Sequence, residues 1–199
     1  MDREDVEILD REIVYDGYFQ MDRYRLRHRL HEGGWGREVT RELFERGHAA
    51  ALLPYDPVLD AVVLIEQFRI GAYAADWKPW LIEIVAGIIE PGEKAEDVVR
   101  REAAEEAGLK VSDLLPIAEY LPSPGGTSET TTLYCGRVDA SGAAGIHGLA
   151  DEGEDIEVSV HKAEDIEALV SSGRICNAAS LIALQWFLLN KQTLRKRWR

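Results

Sequence analysis

The 199-residue chain carries only two cysteines, Cys135 and Cys176. They give neither a disulfide framework nor the paired spacing of a zinc site. Two reduced thiols in a cytosolic protein are expected. Long apolar runs are missing too: no stretch reaches the roughly 18 apolar residues that a membrane span needs. The longest, 178–189, contains Ser180 and Gln185 and reads as a core helix. The opening residues Met-Asp-Arg-Glu-Asp are charged and have no apolar signal core, so a soluble cytoplasmic protein without a secretory leader is expected. Positive charge is scarce, with 23 Lys plus Arg against 36 Asp plus Glu and a net charge of −13. Such a field repels nucleic acid and anionic membranes, and neither is expected as a partner. An anionic substrate would need a local reversal of sign, from clustered arginines or bound cations. Apolar residues are plentiful at 46 %, enough for a packed core and too many for a disordered chain.

The pattern of residues 6–15, rich in Val, Ile and Tyr, predicts a strand that Gly17 breaks. Residues 18–30 alternate, with Arg23, Arg25, Arg27 and Arg29 on one face and Tyr24, Leu26, His28 and Leu30 on the other. That is a strand with one wet face. A turn follows at 33–36. Together these pieces form an N-terminal β unit, 1–46, that packs on the main domain or on a second copy of the chain. The main domain is taken as 47–199. Apolar strands are expected at 48–53 and 61–69, joined across 54–60, and at 80–85, ending at Gly87. Residues 94–107 hold no Pro and no Gly, and Gly108 follows as a C-cap, so this stretch is a helix. Strands at 114–121 and 130–138 flank a break at 122–126. A Gly-rich acidic mobile loop is expected at 141–155, then a strand at 156–161 and helices at 163–171 and 178–198. The last helix ends basic, through Lys191, Arg195, Lys196, Arg197 and Arg199, which suits its negative dipole end. Strands and helices mix without a regular βαβ alternation. An α+β fold follows, a sandwich around a mixed sheet.

The helix at 94–107 carries the chemistry. With Glu102 at the origin, Glu106 lies about 40° away, on the same arc as Ala95, Val98 and Val99. Asp97, Arg100 and Arg101 take the other side. Two like charges one turn apart on an inward stripe are costly unless something compensates them. A hard divalent cation is the simplest compensation, and carboxylate oxygens suit Mg²⁺ or Mn²⁺ rather than zinc. The plainer alternative is a solvated Glu-rich helix with pairs such as Arg101–Glu105.

The stretch 87–109 reads G-x5-E-x7-R-E-U-x-E-E-x-G-U, with U aliphatic. It fixes Gly87, Glu93, Arg101, Glu102, Glu105, Glu106 and Gly108; Ala103, at the first aliphatic position, is smaller than the usual residue. This pattern resembles the Nudix box, the signature of hydrolases acting on nucleoside diphosphates linked to another moiety. The resemblance implies a Nudix-type α/β/α sandwich around the mixed sheet. It also implies that Gly87 lets the backbone approach a metal closely, while Glu93 and Arg101 tie loop to helix. Pro124 lies sixteen residues beyond Gly108. With the segments 38–42 (Glu-Val-Thr-Arg-Glu), 45–50 (Glu-Arg-Gly-His-Ala-Ala), 64–69 (Leu-Ile-Glu-Gln-Phe-Arg), 145–152 (Gly-Ile-His-Gly-Leu-Ala-Asp-Glu) and 177–180 (Asn-Ala-Ala-Ser), it extends the resemblance over essentially the whole chain. The branch it resembles is that of the ADP-ribose pyrophosphatases.

That branch implies a homodimer whose N-terminal β unit crosses to the partner, and hydrolysis of ADP-ribose to AMP and ribose 5-phosphate. It implies two or three Mg²⁺ or Mn²⁺ ions held by Glu102, Glu106, the backbone carbonyl of Ala86 and Glu154. The general base falls at Glu152, on a loop that closes after substrate and metals arrive. On composition alone 151–155 is a solvated acidic loop; His147 is a rival base, or else a turn residue or hydrogen-bond partner. Arg41 and Arg69 are candidates for phosphate and ribose oxygens, with ordinary salt bridges as the alternative. Tyr18 and Phe19 are candidates for stacking on adenine, with plain strand packing as the alternative. Glu42, Ile88, Ser123, Gly125 and Glu129 line the rest of the pocket by the same resemblance. Two other readings stay open. One is a Nudix hydrolase for another substrate: a nucleoside diphosphate sugar such as GDP-mannose, a dinucleotide, or an oxidised nucleoside triphosphate. The other is a non-catalytic binding module, against which the presence of Glu102, Glu105 and Glu106 speaks.

Overall fold

The structure is a computed structural model that describes residues 1–198, except for the side chain of Glu152; Arg199 lies outside the described residues. The chain forms two compact units, one of Met1–His48 with Leu121–Thr130 and one of Ala49–Tyr120 with Thr131–Arg199.

In the first unit β1 (Val6–Asp16), β2 (Gln20–His28) and β3 (Val39–Glu45) make an antiparallel three-stranded sheet in chain order. The arginine face foreseen on β2 is a row of cross-strand ion pairs. Arg23 meets Glu12 and Glu42, Arg25 meets Glu38, and Arg27 meets Glu7; such opposite-charge pairs hold sheet register. Asp22, fully buried, accepts from Arg11 at 2.7 Å and from Gln20 at 2.6 Å. β3 departs from the sequence reading, which placed no strand there. Its residues do not alternate cleanly, and its register is set from outside, by β2 from Gln20↔Glu45 to Leu26↔Val39.

The second unit is built on eight strands: β4 (His48–Asp56), β5 (Ala61–Phe68), β6 (Trp80–Glu83), β7 (Val85–Ile89), β8 (Asp113–Tyr120), β9 (Thr131–Arg137), β10 (Gly145–His147) and β11 (Ile156–Lys162). Its helices are α1 (Ile70–Ala74), α2 (Ala95–Ala107), α3 (Ile166–Ser171) and α4 (Ala178–Trp198). The strand order is β10-β11-β5-β4-β9-β8, with β6 on β5 and β7 on β4. β4 and β9 run parallel, while β4–β5, β5–β11 and β8–β9 are antiparallel. The sheet is therefore mixed.

Strands covered on both faces read as unbroken apolar runs, and alternate residues of the central strands go to opposite layers. Ala50, Leu52, Val63 and Ile65 pack with Val98, Val99, Ala103 and Ala107 of α2. Ala51, Leu53, Tyr55, Val62 and Leu64 pack with Ile166 of α3 and Ala183, Leu184, Phe187 and Leu194 of α4. This is an α/β/α sandwich in an α+β fold.

Several boundaries differ from the sequence reading. β4 runs on through Pro54 to Asp56, with Pro54 opposite Gly136. The single strand expected at 80–85 is two, because the Ile84 N–H turns to the Ser180 hydroxyl at 2.9 Å and the chain passes from β5 to β4. β7 then continues through Gly87 to Ile89. α1 was not foreseen. The segment at 141–155 is not simply a mobile loop: it contains β10, paired with β11, and a short 3-10 turn at Ala150–Glu152.

The turn after β4 is closed by one carboxylate. Asp56 is 2 % exposed and accepts from the N–H groups of Val58 at 2.7 Å, Leu59 at 3.0 Å and Ala140 at 2.8 Å. Asp56→Ala strands three donors and should cost about 3 kcal/mol. Urea denaturation should show a lower midpoint with an unchanged slope.

Candidate active site

α2 forms because its inner face can be buried. Val98, Val99, Ala103 and Ala107 all lie within the core, and Gly108 ends the helix in the left-handed region at φ +63°. On that buried face stands Glu106, only 3 % exposed. Its Oε2 accepts the Ala86 N–H at 3.0 Å, and the Gln67 amide lies 3.5 Å from Oε1. Burial pushes the Glu106 carboxyl up to about 8, with the Glu102 and Glu154 charges adding to the shift and the Ala86 N–H opposing it. Glu102, half-buried one turn earlier, is also raised by burial; Arg101 opposes this, and Glu105 and Glu154 add to it.

Arg101 organises the rest of the helix surface. It donates to Glu102 at 2.8 Å, Glu105 at 3.1 Å and Glu93 at 3.4 Å. Glu93 also accepts the Glu90 N–H at 3.1 Å, so the loop before α2 is closed on itself and tied to the helix. Gly87 has a direct steric reason. A Cβ at that position would stand 1.9 Å from Glu102 Oε1. Glycine there makes room for the carboxylate itself.

The donors that the sequence resemblance selects are all oxygen: Glu102, Glu106, Glu154 and the Ala86 carbonyl. Three mutually repelling carboxylates, one of them buried, fit a hard divalent cation. Among the described residues no three acidic, His or Cys side chains already stand at ligating separation. Their oxygens are engaged instead with Arg101, the Ala86 N–H and, for Glu154 Oε2, the Leu149 N–H at 2.9 Å. The Glu152 side chain lies outside the described residues. Ile88 is half-buried on β7. Arg69 is held by Glu83, both Nε and Nη2 lying 2.8 Å from Glu83 Oε2. Burial raises the Glu83 carboxyl, with Arg69 and Gln67 opposing the shift.

The other sequence-selected residues lie in the first unit. Tyr18 is 88 % exposed and packs edge-on to Phe19, centroids 4.7 Å apart. Phe19 in turn packs edge-on to Phe44 at 5.2 Å. Arg41 is exposed on β3 and donates locally, to the Thr40 carbonyl at 2.8 Å. Glu42 pairs with Arg23 at 3.2 Å. Ser123 is exposed and its carbonyl accepts from the Gly126 and Thr127 N–H groups. Gly125 borders open space. Glu129, 9 % exposed, meets Arg46 at 3.3 Å.

Three residues escaped the sequence reading. Arg46 places its guanidinium 5.6 Å from the Phe19 ring centroid and, among the described residues, leaves Nε buried without a hydrogen-bond partner. Nothing in its spacing set it apart from Arg41. Gln67 and Glu83 are polar residues inside apolar strands, and that interruption was a usable signal.

Carboxylates turned toward one another beside a strand cleared of a side chain form an arrangement that a divalent cation would relieve. Residues 45–177 match the NUDIX domain family. The chain is 58 % identical over 196 residues to the ADP-ribose pyrophosphatase of Escherichia coli strain K12, covering 98 % of this chain and 94 % of the relative. It is 44 % identical over 200 residues to the ADP-ribose pyrophosphatase of Haemophilus influenzae, covering 99 % and 92 %. A solved structure described as an ADP compounds hydrolase shares the fold with a TM-score of 0.72 at 21 % identity, covering 96 % of each chain. The chain belongs to the NUDIX family.

The buried carboxylate makes stability depend on pH. Unfolded, Glu106 loses its proton near 4.5; folded, it keeps it up to about 8. Between these values the native state binds more protons, so Glu106 lowers stability as pH rises through the window. In a chelator, Glu106→Gln should remove that loss. Melts from pH 5 to 8.5 should show wild type declining relative to the variant by on the order of a few kcal/mol.

Proposed function

We propose that this chain hydrolyses the pyrophosphate bond of ADP-ribose, giving AMP and ribose 5-phosphate, in a reaction that depends on Mg²⁺ or Mn²⁺. The observation that carries the reading is a complete Nudix box with Glu102, Glu105 and Glu106 in place on α2, in a chain alike over 98 % of its length to a protein named for that activity. The net charge of −13 argues against nucleic acid as a partner. Two free thiols suit a reducing, cytoplasmic setting.

Glu102, Glu106, Glu154 and the Ala86 carbonyl would hold two or three ions, which would supply charge neutralisation and Lewis-acid activation of the diphosphate. Arg101 holds Glu102 until ions arrive, and Gly87 leaves it room. Glu152 accepts a proton from water as the water oxygen bonds to phosphorus and the bridging P–O bond breaks. In the sheet unit Arg69, fixed in direction by Glu83, takes phosphate or ribose oxygens, and Ile88 supplies an apolar wall. In the N-terminal unit Tyr18 and Phe19 stack on adenine and Arg41 binds phosphate or ribose oxygens. Glu42, Ser123, Gly125 and Glu129 contribute polar contacts and open space around the nucleoside. The N-terminal unit, 1–46, pairs with a second copy in a homodimer. β1 supports this: Ile8, Ile13 and Tyr15 are about half exposed or more on the strand at the edge of the three-stranded sheet.

Side-by-side turnover of ADP-ribose, GDP-mannose and a dinucleotide with Mg²⁺ tests the reading. ADP-ribose should lead in kcat/KM by about tenfold or more, with AMP released. Glu152→Gln should lower kcat about 10²–10⁴-fold while KM stays within a few-fold. A preference for GDP-mannose, or wild-type kcat in Glu152→Gln, would overturn it.

A further inference from the structure

The segment between β9 and β11 bears both acidic residues proposed above that lie outside the box, and its His147 imidazole lies against the C-terminal cap of α2. We infer that His147 is a positioning residue: it seats the acidic segment on the C-terminal cap of α2 and so sets where Glu154 stands relative to Glu102 and Glu106. This rests on the metal-holding role given to Glu154 above.

The seat is built from both sides. A Cβ on Gly108 would lie 2.9 Å from His147 Cε1 and 3.4 Å from Nδ1, so the imidazole occupies the place that a side chain at the helix cap would fill. Gly108 thus meets two demands, a left-handed backbone at φ +63° and a bare surface for the ring. The next residue fixes the backbone, since the Gly148 N–H donates to the Glu105 carbonyl in the last turn of α2 at 3.3 Å. On the other side His147 pairs with Ile156 in the β10–β11 ladder, and Ile156 is fully buried in the core. The ring thus lies against the helix end while the backbone of His147 is fixed in the β10–β11 ladder.

From this seat the path to Glu154 is short and closed. The Leu149 N–H donates to Glu154 Oε2 at 2.9 Å, and the Glu154 N–H donates back to the Leu149 carbonyl at 3.2 Å. Gly148, at φ +100°, must lack a side chain, because a Cβ would come within 2.7 Å of Glu154 Cβ. A shift at His147 passes through one residue into this ring. The Glu154 charge acts on both Glu102 and Glu106, so the three carboxylates share one field.

The same geometry separates the seat from proton transfer. His147 Nε2 lies 3.2 Å from the Ala144 carbonyl, a contact that needs its N–H as donor, and Nδ1 faces the Gly108 cap. Both ring nitrogens are turned to this protein's own backbone. The ring acts by its shape and by one hydrogen bond.

The test compares His147→Ala with His147→Phe, which keeps a ring against Gly108 and removes both nitrogens. Mn²⁺ binding to the full chain, read by electron paramagnetic resonance without substrate, is measured beside kcat and KM for ADP-ribose. His147→Ala should weaken Mn²⁺ binding about tenfold and lower kcat about tenfold, with KM within about twofold. His147→Phe should regain most of both. Wild-type Mn²⁺ affinity in His147→Ala overturns the proposal. So does a His147→Phe as impaired as His147→Ala and lacking the acidic limb of the kcat–pH profile, which would make His147 a proton carrier. Because Mn²⁺ binding needs no substrate, a wild type that ignores ADP-ribose but loses Mn²⁺ affinity on His147→Ala would refute the substrate reading and leave the seat standing.

Discussion

A carboxylate shut away from water on the inner face of α2 is the constraint to which the rest of the sheet unit answers. Glu106 is nearly fully buried among apolar side chains, one turn from a second half-buried acid. An isolated charge in such a place neutralises itself by holding its proton. Here a single backbone N–H, from Ala86, and the Arg69 charge offset the burial only in part. A core built for stability alone would place an apolar residue there. The acid is retained at a cost in stability, in keeping with the metal-holding role proposed for it.

The surrounding structure makes sense as support for that acid. The break at Ile84, held by Ser180, moves the chain from β5 to β4 and so brings the Ala86 N–H to the helix. Gly87 then clears the space that Glu102 fills. Arg101 gathers three carboxylates on the outer flank and keeps them from spreading into solvent. Arg69 and Glu83 repeat the theme at lower intensity, a cation steadied by a buried acid. Rigid strands and a capped helix supply precision, whereas the acidic segment reaches the site from a loop with its own small strand.

Much of this was legible in the sequence, for identifiable reasons. α2 has the 3.6-residue period, an uninterrupted interior and a glycine stop, and the same period placed Glu102 and Glu106 on the apolar arc. The arginine face of β2 followed from strict alternation. What stayed hidden depends on partners distant in the chain. β3 has no clean period of its own and is a strand because β2 pairs with it. The split between β6 and β7 depends on a hydroxyl 96 residues away. Pro54 reads as a strand breaker, yet it sits within β4 opposite Gly136. Gln67, Glu83 and Arg46 acquire meaning only when Glu106, Arg69 and Glu129 are seen beside them. Resemblance to a family could name Glu154, but not the ring at His147 that holds its segment against the helix.

The central claim is that Glu106 and Glu102 face inward to hold divalent ions. Anomalous diffraction at the manganese edge, from crystals equilibrated with Mn²⁺ and a non-hydrolysable diphosphate, tests it most directly. The account requires an anomalous peak within about 2.5 Å of carboxylate oxygens of both residues, with Glu102 released from Arg101. The contrary result is a fully occupied ligand, Glu102 still on Arg101, Glu106 still on the Ala86 N–H, and no peak beside either.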